Sequence, residues 1–423
     1  MIYTSTNNTK EKVGFRTAAL NGLASERGLY VPVKMPRLKG DVLGRNTFGP
    51  EEAAEVMHLF TGADVPLKVL TDILDQTLSF DFPLVKIGKD KYCLELFHGP
   101  TKAFKDVGAR FMSRTLGYFK AQDDQKSHVL VATSGDTGAA VANGFLNVEG
   151  VQVHILFPKG KVSEYQEKQM TTLGGNIQAI EVEGTFDDCQ SLVKQAFSDD
   201  QLKKEMSLSS ANSINVARFL PQMLYYFNAS KQLKDMGLEN VVYSVPSGNF
   251  GNLTAGLYAK IIGLNITKFI ASTNKNDTFI KYLSSGDYIP KPSVLTYSNA
   301  MDVGAPSNFA RILKLYNNDW KTINENIKGL SVSDELTLEI IQEIYSNSDY
   351  TIDPHGAVGY QGLTTFQEEG ETGIVLGTAS PLKFASVIQK VIPDFQTPIS
   401  DGDTVFKKSI QNNYASLVDV LMS

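Results

Sequence analysis

The chain has 423 residues, enough for two or three domains, each with its own core. Hydrophobic residues make up 42%, charged residues 20%, and the formal net charge is −6, which argues against a disordered chain and against a nucleic-acid surface. Two cysteines exclude a disulfide framework, the five histidines lack metal-ligand spacing, and no apolar stretch approaches a membrane span, so an intracellular, cytoplasmic protein without a metal is expected.

Met1 to Lys12 is polar and lacks an apolar signal core. Gly28-Leu29-Tyr30-Val31-Pro32 reads as a short strand stopped by proline. Residues 50–77 read as helices, opened by Pro50-Glu51-Glu52 and followed by Ala53, Val56, Met57 and Phe60 at helical spacing. Residues 1–80 are therefore predicted to form a small α-rich module.

From about residue 92, short apolar runs alternate with helical patterns. Tyr92–Phe97 precedes a helix through Phe111, His128–Thr133 one from Thr137, and Val151–Phe157 one near Ser163. Asn240–Val245 precedes a helix from about Phe250, and Gly373–Leu376 one from Pro381. Val129-Leu130-Val131-Ala132 is apolar on both faces, as in a parallel strand covered by helices on each side. Ser163-Glu164-Tyr165-Gln166 has the pattern of a capping box, and Pro381 suits a first helical position. The fold class is α/β with mainly parallel sheets flanked by helices. Residues 284–308, rich in Ser, Pro, Gly and Asn, read as a long loop.

Two glycine-rich turns lie between a strand and a helix: Thr133-Ser134-Gly135-Asp136-Thr137-Gly138 and Ser247-Gly248-Asn249-Phe250-Gly251-Asn252. Such turns bind anions through backbone N–H groups and the helix dipole, although each is also an ordinary tight connection. Asp136 is unusual in an anion cradle, and helix capping is its simpler role. Lys105 lies in the first turn of a predicted helix, where the dipole favours the neutral amine. An amine and two anion cradles suit an aldehyde cofactor with a phosphate tail: the amine forms a Schiff base, one cradle holds the phosphate, and the other can hold a substrate carboxylate. Asn212-Ser213-Ile214-Asn215-Val216-Ala217-Arg218 offers amide, hydroxyl and guanidinium groups for a second phosphate, with Asn212 or Ser213 as a plain helix cap the alternative. Thr378 ends an apolar strand, where α/β enzymes place ligand contacts, or caps the helix before Pro381.

Taken together, these segments resemble the threonine synthase family of fold-type-II (tryptophan synthase β-like) pyridoxal-phosphate enzymes over nearly the whole chain. His98-Gly99-Pro100-Thr101 with Ala103-Phe104-Lys105-Asp106 resembles the Schiff-base motif, and Thr133–Ala140 the substrate-carboxylate turn. Ser210–Asn215, Pro246–Asn252, Ser298-Asn299-Ala300-Met301-Asp302 and Gly377-Thr378-Ala379 match further family segments. Ser380-Pro381 departs from a His-Pro common in relatives. The resemblance implies a leading threonine-synthase-type module over 1–80 and a pyridoxal-phosphate-binding catalytic region over 81–423, made of two α/β subdomains. It implies that Lys105 holds the cofactor and moves protons, and that Gly248, Asn249, Phe250, Gly251 and Asn252 bind its phosphate. Asp136 would stand by the ring hydroxyl and Thr378 by the pyridine nitrogen. Ser134, Gly135 and Thr137 would face the substrate, and Asn212, Ser213, Arg218 and Lys161 its phosphate. The implied reaction is O-phosphohomoserine plus water giving threonine and phosphate, by γ-elimination and addition of water at Cβ, in a monomer or small homo-oligomer. Another fold-type-II lyase, such as a threonine dehydratase or a phospho-amino-acid lyase, and a non-catalytic binding relative are the rival readings; the N-terminal module and the Arg218 cluster argue against the first, an intact Lys105 against the second.

Overall fold

Val129, Leu130 and Val131 are all fully buried, so both faces of their strand are covered, as a parallel sheet between helices requires. The structure, a computed structural model, describes residues 1–39, 42, 44, 45, 47–121, 126–396 and 404–422. Its strands, in chain order, are β1 (Ile2–Ser5), β2 (Val13–Gly14), β3 (Tyr30–Pro32), β4 (Leu84–Gly88), β5 (Lys91–Glu95), β6 (Ser127–Ala132) and β7 (Val151–Pro158). They continue as β8 (Ile177–Glu183), β9 (Ser207–Ser210), β10 (Val241–Pro246), β11 (Lys268–Thr273), β12 (Ile327–Ser331), β13 (Thr372–Gly377) and β14 (Lys407–Gln411).

The described chain forms two compact units. The first comprises Met1, Val31–Phe104 and Phe219–Pro398. Its sheet runs in the order β12-β11-β10-β13-β5-β4. Neighbours are parallel, with Ile374 opposite Tyr92 and Val245 opposite Ala271, except that β4 closes the edge antiparallel to β5. The helix Pro354–Phe366 packs across β10, β11 and β13, and Val242, Ile270, Leu363 and Val375 form the core beneath it.

The second unit comprises Ile2–Tyr30, Lys105–Arg218 and Ile399–Ser423. Its sheet, β14-β8-β7-β6-β9, is parallel throughout, with Val129 opposite Val153 and Ile155 opposite Ala179. Leu130, Leu156, Ile180, Cys189, Leu192, Leu417 and Leu421 fill one face of it. The predicted capping box is present: the Ser163 hydroxyl accepts from Gln166 N at 3.3 Å, and Gln166 Oε1 accepts from Ser163 N at 3.2 Å.

The predicted strand and helices of the N-terminal region are all there: Tyr30–Pro32, Pro50–Thr61 and Leu67–Thr77. Residues 1–80 do not, however, cluster as one compact body, because residues 2–30 group with the second unit and 31–80 with the first. Packing explains the division. The helix Phe15–Asn21 buries Phe15, Ala18 and Ala19, with the Phe15 ring 6.3 Å from Phe119 of the helix Lys105–Lys120. The helix Pro50–Thr61 instead sets Phe60 against Tyr258, 6.2 Å away in the first unit.

Candidate active site

Lys105 is the first residue of the helix Lys105–Lys120, and its side chain keeps 18% of its exposure. Its Nζ lies 3.9 Å from Asp136 Oδ2, and the Asp136 side chain is 3% exposed. Asp136 does not cap its helix, as its simpler reading had it. Gly135 holds the N-cap position at φ 136°, in the left-handed region that favours glycine. A Cβ there would lie 2.4 Å from the Gln166 amide. That amide donates from Nε2 to Asp136 Oδ1 at 2.9 Å. The Asp136 carboxylate thus faces an amide donor and the Lys105 ammonium, which offsets its repulsion of an anion in the same turn.

The turn is shaped by a residue with no assigned role, Thr133. Its buried hydroxyl accepts from Gly135 N at 2.9 Å and Gly138 N at 2.8 Å. The Ser134 and Thr137 side chains stay half-exposed and make no hydrogen bond among the described residues.

Farther along the same unit, Arg218 is buried at 3% exposure in the short helix Val216–Phe219, and its Nη1 donates to Ala211 O at 2.9 Å. Neither Asn212 nor Ser213 caps that helix: Asn215 Oδ1 accepts from Ala217 N at 2.9 Å. Both stay half-exposed. Lys161 is exposed in the turn after β7.

In the first unit, β10 runs into the turn Ser247–Asn252, which opens the helix Gly251–Ile262. Phe250 caps that helix at φ 58°, a strained conformation for a non-glycine residue, with its ring packed 4.5 Å from Phe279. The first intrahelical bond runs from Thr254 N to Phe250 O at 3.0 Å, and Leu253 N is accepted by Asn252 Oδ1 at 2.9 Å. The Gly251 and Asn252 N–H groups precede both bonds, at the positive end of the helix dipole. The Asn252 side chain is spent on the turn itself, its Nδ2 donating to Pro246 O at 2.9 Å and its Oδ1 accepting from the Ser247 hydroxyl. Asn249 Oδ1 likewise accepts from Ser307 N at 2.6 Å. The Asn252 amide is therefore engaged within the turn, and an anion there would meet the backbone N–H groups of Gly251 and Asn252.

Thr378 is 6% exposed, just past β13. It is not the cap before Pro381; the Ser380 hydroxyl is, accepting from Leu382 N at 3.4 Å. The Thr378 carbonyl accepts from Phe104 N at 2.9 Å, and Ser380 N donates to Lys102 O at 3.0 Å. Thr378 therefore stands beside the segment that leads into Lys105, with its hydroxyl unbonded among the described residues.

Residues 83–376 match the family model of pyridoxal-phosphate dependent enzymes, and residues 2–78 that of the threonine synthase N terminus. The threonine synthase of Buchnera aphidicola subsp. Acyrthosiphon pisum is 44% identical over 91% of this chain and 90% of its own length. That of Escherichia coli K12 is 42% identical over 90% and 89%. The crystal structure of the Escherichia coli threonine synthase superposes with a TM-score of 0.92 at 39% identity, covering 100% of this chain and 99% of that one.

The chain belongs to the threonine synthase family.

It is accordingly a pyridoxal-phosphate-dependent enzyme of the lyase class. A solved relative, the threonine synthase of Brucella melitensis, is described as bound to that cofactor and superposes with a TM-score of 0.91 at 32% identity, over 100% of this chain and 98% of that one. Each unit holds groups of the kind that the cofactor needs: in the first, a helix-opening turn whose Gly251 and Asn252 N–H groups lie at the positive end of the dipole and a buried Thr378 hydroxyl with no partner among the described residues; in the second, a partly exposed lysine that opens a helix. Burial pushes the Cys189 thiol up to about 12 and the Cys93 thiol higher still, so neither cysteine competes as nucleophile.

Threonine synthase membership also gives context to residues without an assigned role. Arg311, fully buried, donates from Nη1 to Asn308 Oδ1 at 2.6 Å, and Asn308 Nδ2 donates to Asn249 O at 2.9 Å. A guanidinium thus stands two hydrogen bonds from the turn Ser247–Asn252. Asn299 Oδ1 is buried with no hydrogen-bond partner among the described residues, an acceptor left over for a ligand or water. No spacing pattern marks Arg311 in the sequence, whereas Asn299 lies in the segment Ser298–Asp302 that resembles a family segment.

Thr378 carries a direct test. Thr378→Val is expected to weaken cofactor binding by about 0.5–1.5 kcal/mol, the net contribution of one neutral hydrogen bond. Thr378→Asp should alter the visible spectrum by favouring a protonated ring. Spectra and affinities unchanged in both variants would remove Thr378 from the ring.

Proposed function

We propose that the chain converts O-phospho-L-homoserine and water to L-threonine and phosphate, the last step of threonine biosynthesis, in the cytoplasm. The observation that supports this reading is the pairing of Lys105, which opens one helix, with Asp136, which opens another from a glycine turn of the kind that can take a carboxylate, across 3.9 Å. When bound, pyridoxal phosphate supplies an electron sink at the substrate's Cα. The chain's residues supply the rest.

Lys105 would anchor the aldehyde and then, displaced by substrate, carry protons at Nζ. The first turn of a helix works against its ammonium form and the Asp136 carboxylate at 3.9 Å works for it, so the amine sits between two opposed influences. Asp136, fixed by Gln166, would orient that amine and the ring hydroxyl. The N–H groups of Gly248, Asn249, Phe250, Gly251 and Asn252 would hold the cofactor phosphate, and the Thr378 hydroxyl the pyridine nitrogen. Ser134, Gly135 and Thr137 would take the substrate carboxylate. Asn212, Ser213, Arg218 and Lys161 would hold the leaving phosphate, where positive charge matters most as negative charge grows on the departing oxygen.

The test is product analysis. The purified, cofactor-loaded chain given O-phosphohomoserine should release phosphate and threonine in equal amounts. Phosphate with 2-oxobutyrate alone would turn the reading toward a dehydratase, and no phosphate at all toward a binding protein. Likeness to the tomato threonine deaminase, at 18% identity and a TM-score of 0.59, speaks for the shared fold alone.

A further inference from the structure

The segment Ser298–Asp302 has no part in the chemistry above, yet the phosphate turn is built against it. Gly248 does not occupy the left-handed region, so its backbone conformation does not call for glycine. Its environment does: a Cβ there would lie 2.6 Å from Met301 Cα and 3.0 Å from Met301 C. The main chain of Met301 is thus the surface on which the turn rests. Any shift of Met301 toward or away from Gly248 moves the N–H groups that follow it.

Met301 closes the single turn Asn299–Met301, and one side-chain bond holds the middle of that turn. Ala300 N donates to His355 Nε2 at 3.1 Å. An amide N–H only donates, so Nε2 carries no proton and the ring hydrogen sits on Nδ1. Nδ1 lies 2.6 Å from Asp353 Oδ2, and the other Asp353 oxygen accepts from Gly356 N at 2.9 Å, capping the helix Pro354–Phe366. That helix packs on β10, the strand that ends at the phosphate turn. His355 is 2% exposed, with its ring 4.8 Å from Phe384. Beyond Met301, Asp302 accepts from Thr296 Oγ1 at 2.7 Å, Asn274 Nδ2 at 2.8 Å and Asn276 Nδ2 at 3.1 Å. Met301 is therefore held on both sides by partly buried hydrogen bonds.

We propose that His355 is a positioning residue for the cofactor phosphate: through Ala300 N–H it sets Met301 under Gly248 and thereby aims the donors of the turn Gly248–Asn252. The inference rests on the reading that this turn takes the cofactor phosphate. A histidine that merely stabilised the core would affect every ligand of the site equally. His355 acting through the turn affects only ligands that carry the phosphate.

The experiment titrates the cofactor-free full chain with pyridoxal phosphate and, separately, with pyridoxal, which keeps the aldehyde and ring but lacks the phosphate. In His355→Leu the dissociation constant for pyridoxal phosphate should rise at least about tenfold while that for pyridoxal stays within about twofold. His355→Gln, which keeps an acceptor for Ala300 N–H, should recover most of the loss. Equal weakening of both ligands, or no weakening in a folded leucine variant, overturns the proposal. If His355→Leu does not fold, His355→Ser is read by the same criterion; if it too fails while His355→Gln folds, the role is general stability and the proposal falls. Should the unsubstituted chain bind the two ligands equally well, the phosphate reading of the turn fails first, which separates that failure from one of His355 alone.

Discussion

Lys105→Ala is expected to reduce turnover by roughly three orders of magnitude or more. The residue is assigned two tasks, covalent attachment of the cofactor and proton transfer, and positioned acid–base catalysis alone contributes about 10²–10⁴-fold. Folding should survive. The Lys105 side chain keeps 18% of its exposure, and Asp136 retains its bond from Gln166 in the variant. Melting temperature therefore separates a chemical loss from a structural one. Borohydride reduction of the loaded, unsubstituted enzyme followed by peptide mapping should place the label on Lys105. A label on Lys102, which stands at φ 56° three residues earlier, would refute the assignment.

The second large effect is expected at Arg218. If its guanidinium holds the substrate phosphate, Arg218→Leu should lower kcat/KM for O-phosphohomoserine about ten- to a hundredfold, from about 1.5–3 kcal/mol for a charge-assisted contact. Part of the loss should fall in kcat, because charge on the leaving group grows as its bond breaks. Arg218→Lys should rescue only partly, since a point charge does not reproduce the planar fork. Burial sharpens the design of the test. Arg218 also supports Ala211 O, and a Cβ at Gly108 would lie 3.3 Å from its Nε, so its aliphatic stem is packed. Cofactor affinity and melting temperature must be measured beside the kinetics. An unchanged kcat/KM in a folded, loaded leucine variant would take Arg218 out of the site.

Much of this was legible in the chain because the signals are local. A strand buried on both faces needs apolar residues at every position, and Val129–Ala132 supplies them. An anion turn needs glycine beside a helix start, and both Ser134–Gly138 and Gly248–Asn252 have it. The Ser163 capping box spans four consecutive residues and formed as read. The caps weighed as alternative roles for Asn212, Ser213 and Thr378 fell to other residues. Asn215, rather than Asn212 or Ser213, begins its helix, and Asn215 Nδ2 donates to Ala19 O, 196 residues away. Ser380 holds the cap that was the alternative role of Thr378, and the threonine hydroxyl has no partner among the described residues.

What the amino-acid order determined by itself was several of the parallel strands, which turns set glycine at a helix start, and which lysine opens a helix, because each depends on periodicity and a few neighbouring residues. Only tertiary structure decided how the first eighty residues divide between two cores, since Phe15 and Phe60 pack against partners far along the chain. It likewise decided that Gly248 is glycine on account of Met301, that His355 and Asp353 are bonded to the segment beneath the turn Ser247–Asn252, and that Arg311 reaches that turn through Asn308. Those residues carry no spacing signature, because a buried polar group is defined by the partners that satisfy it, and the partners here come from elsewhere in the fold.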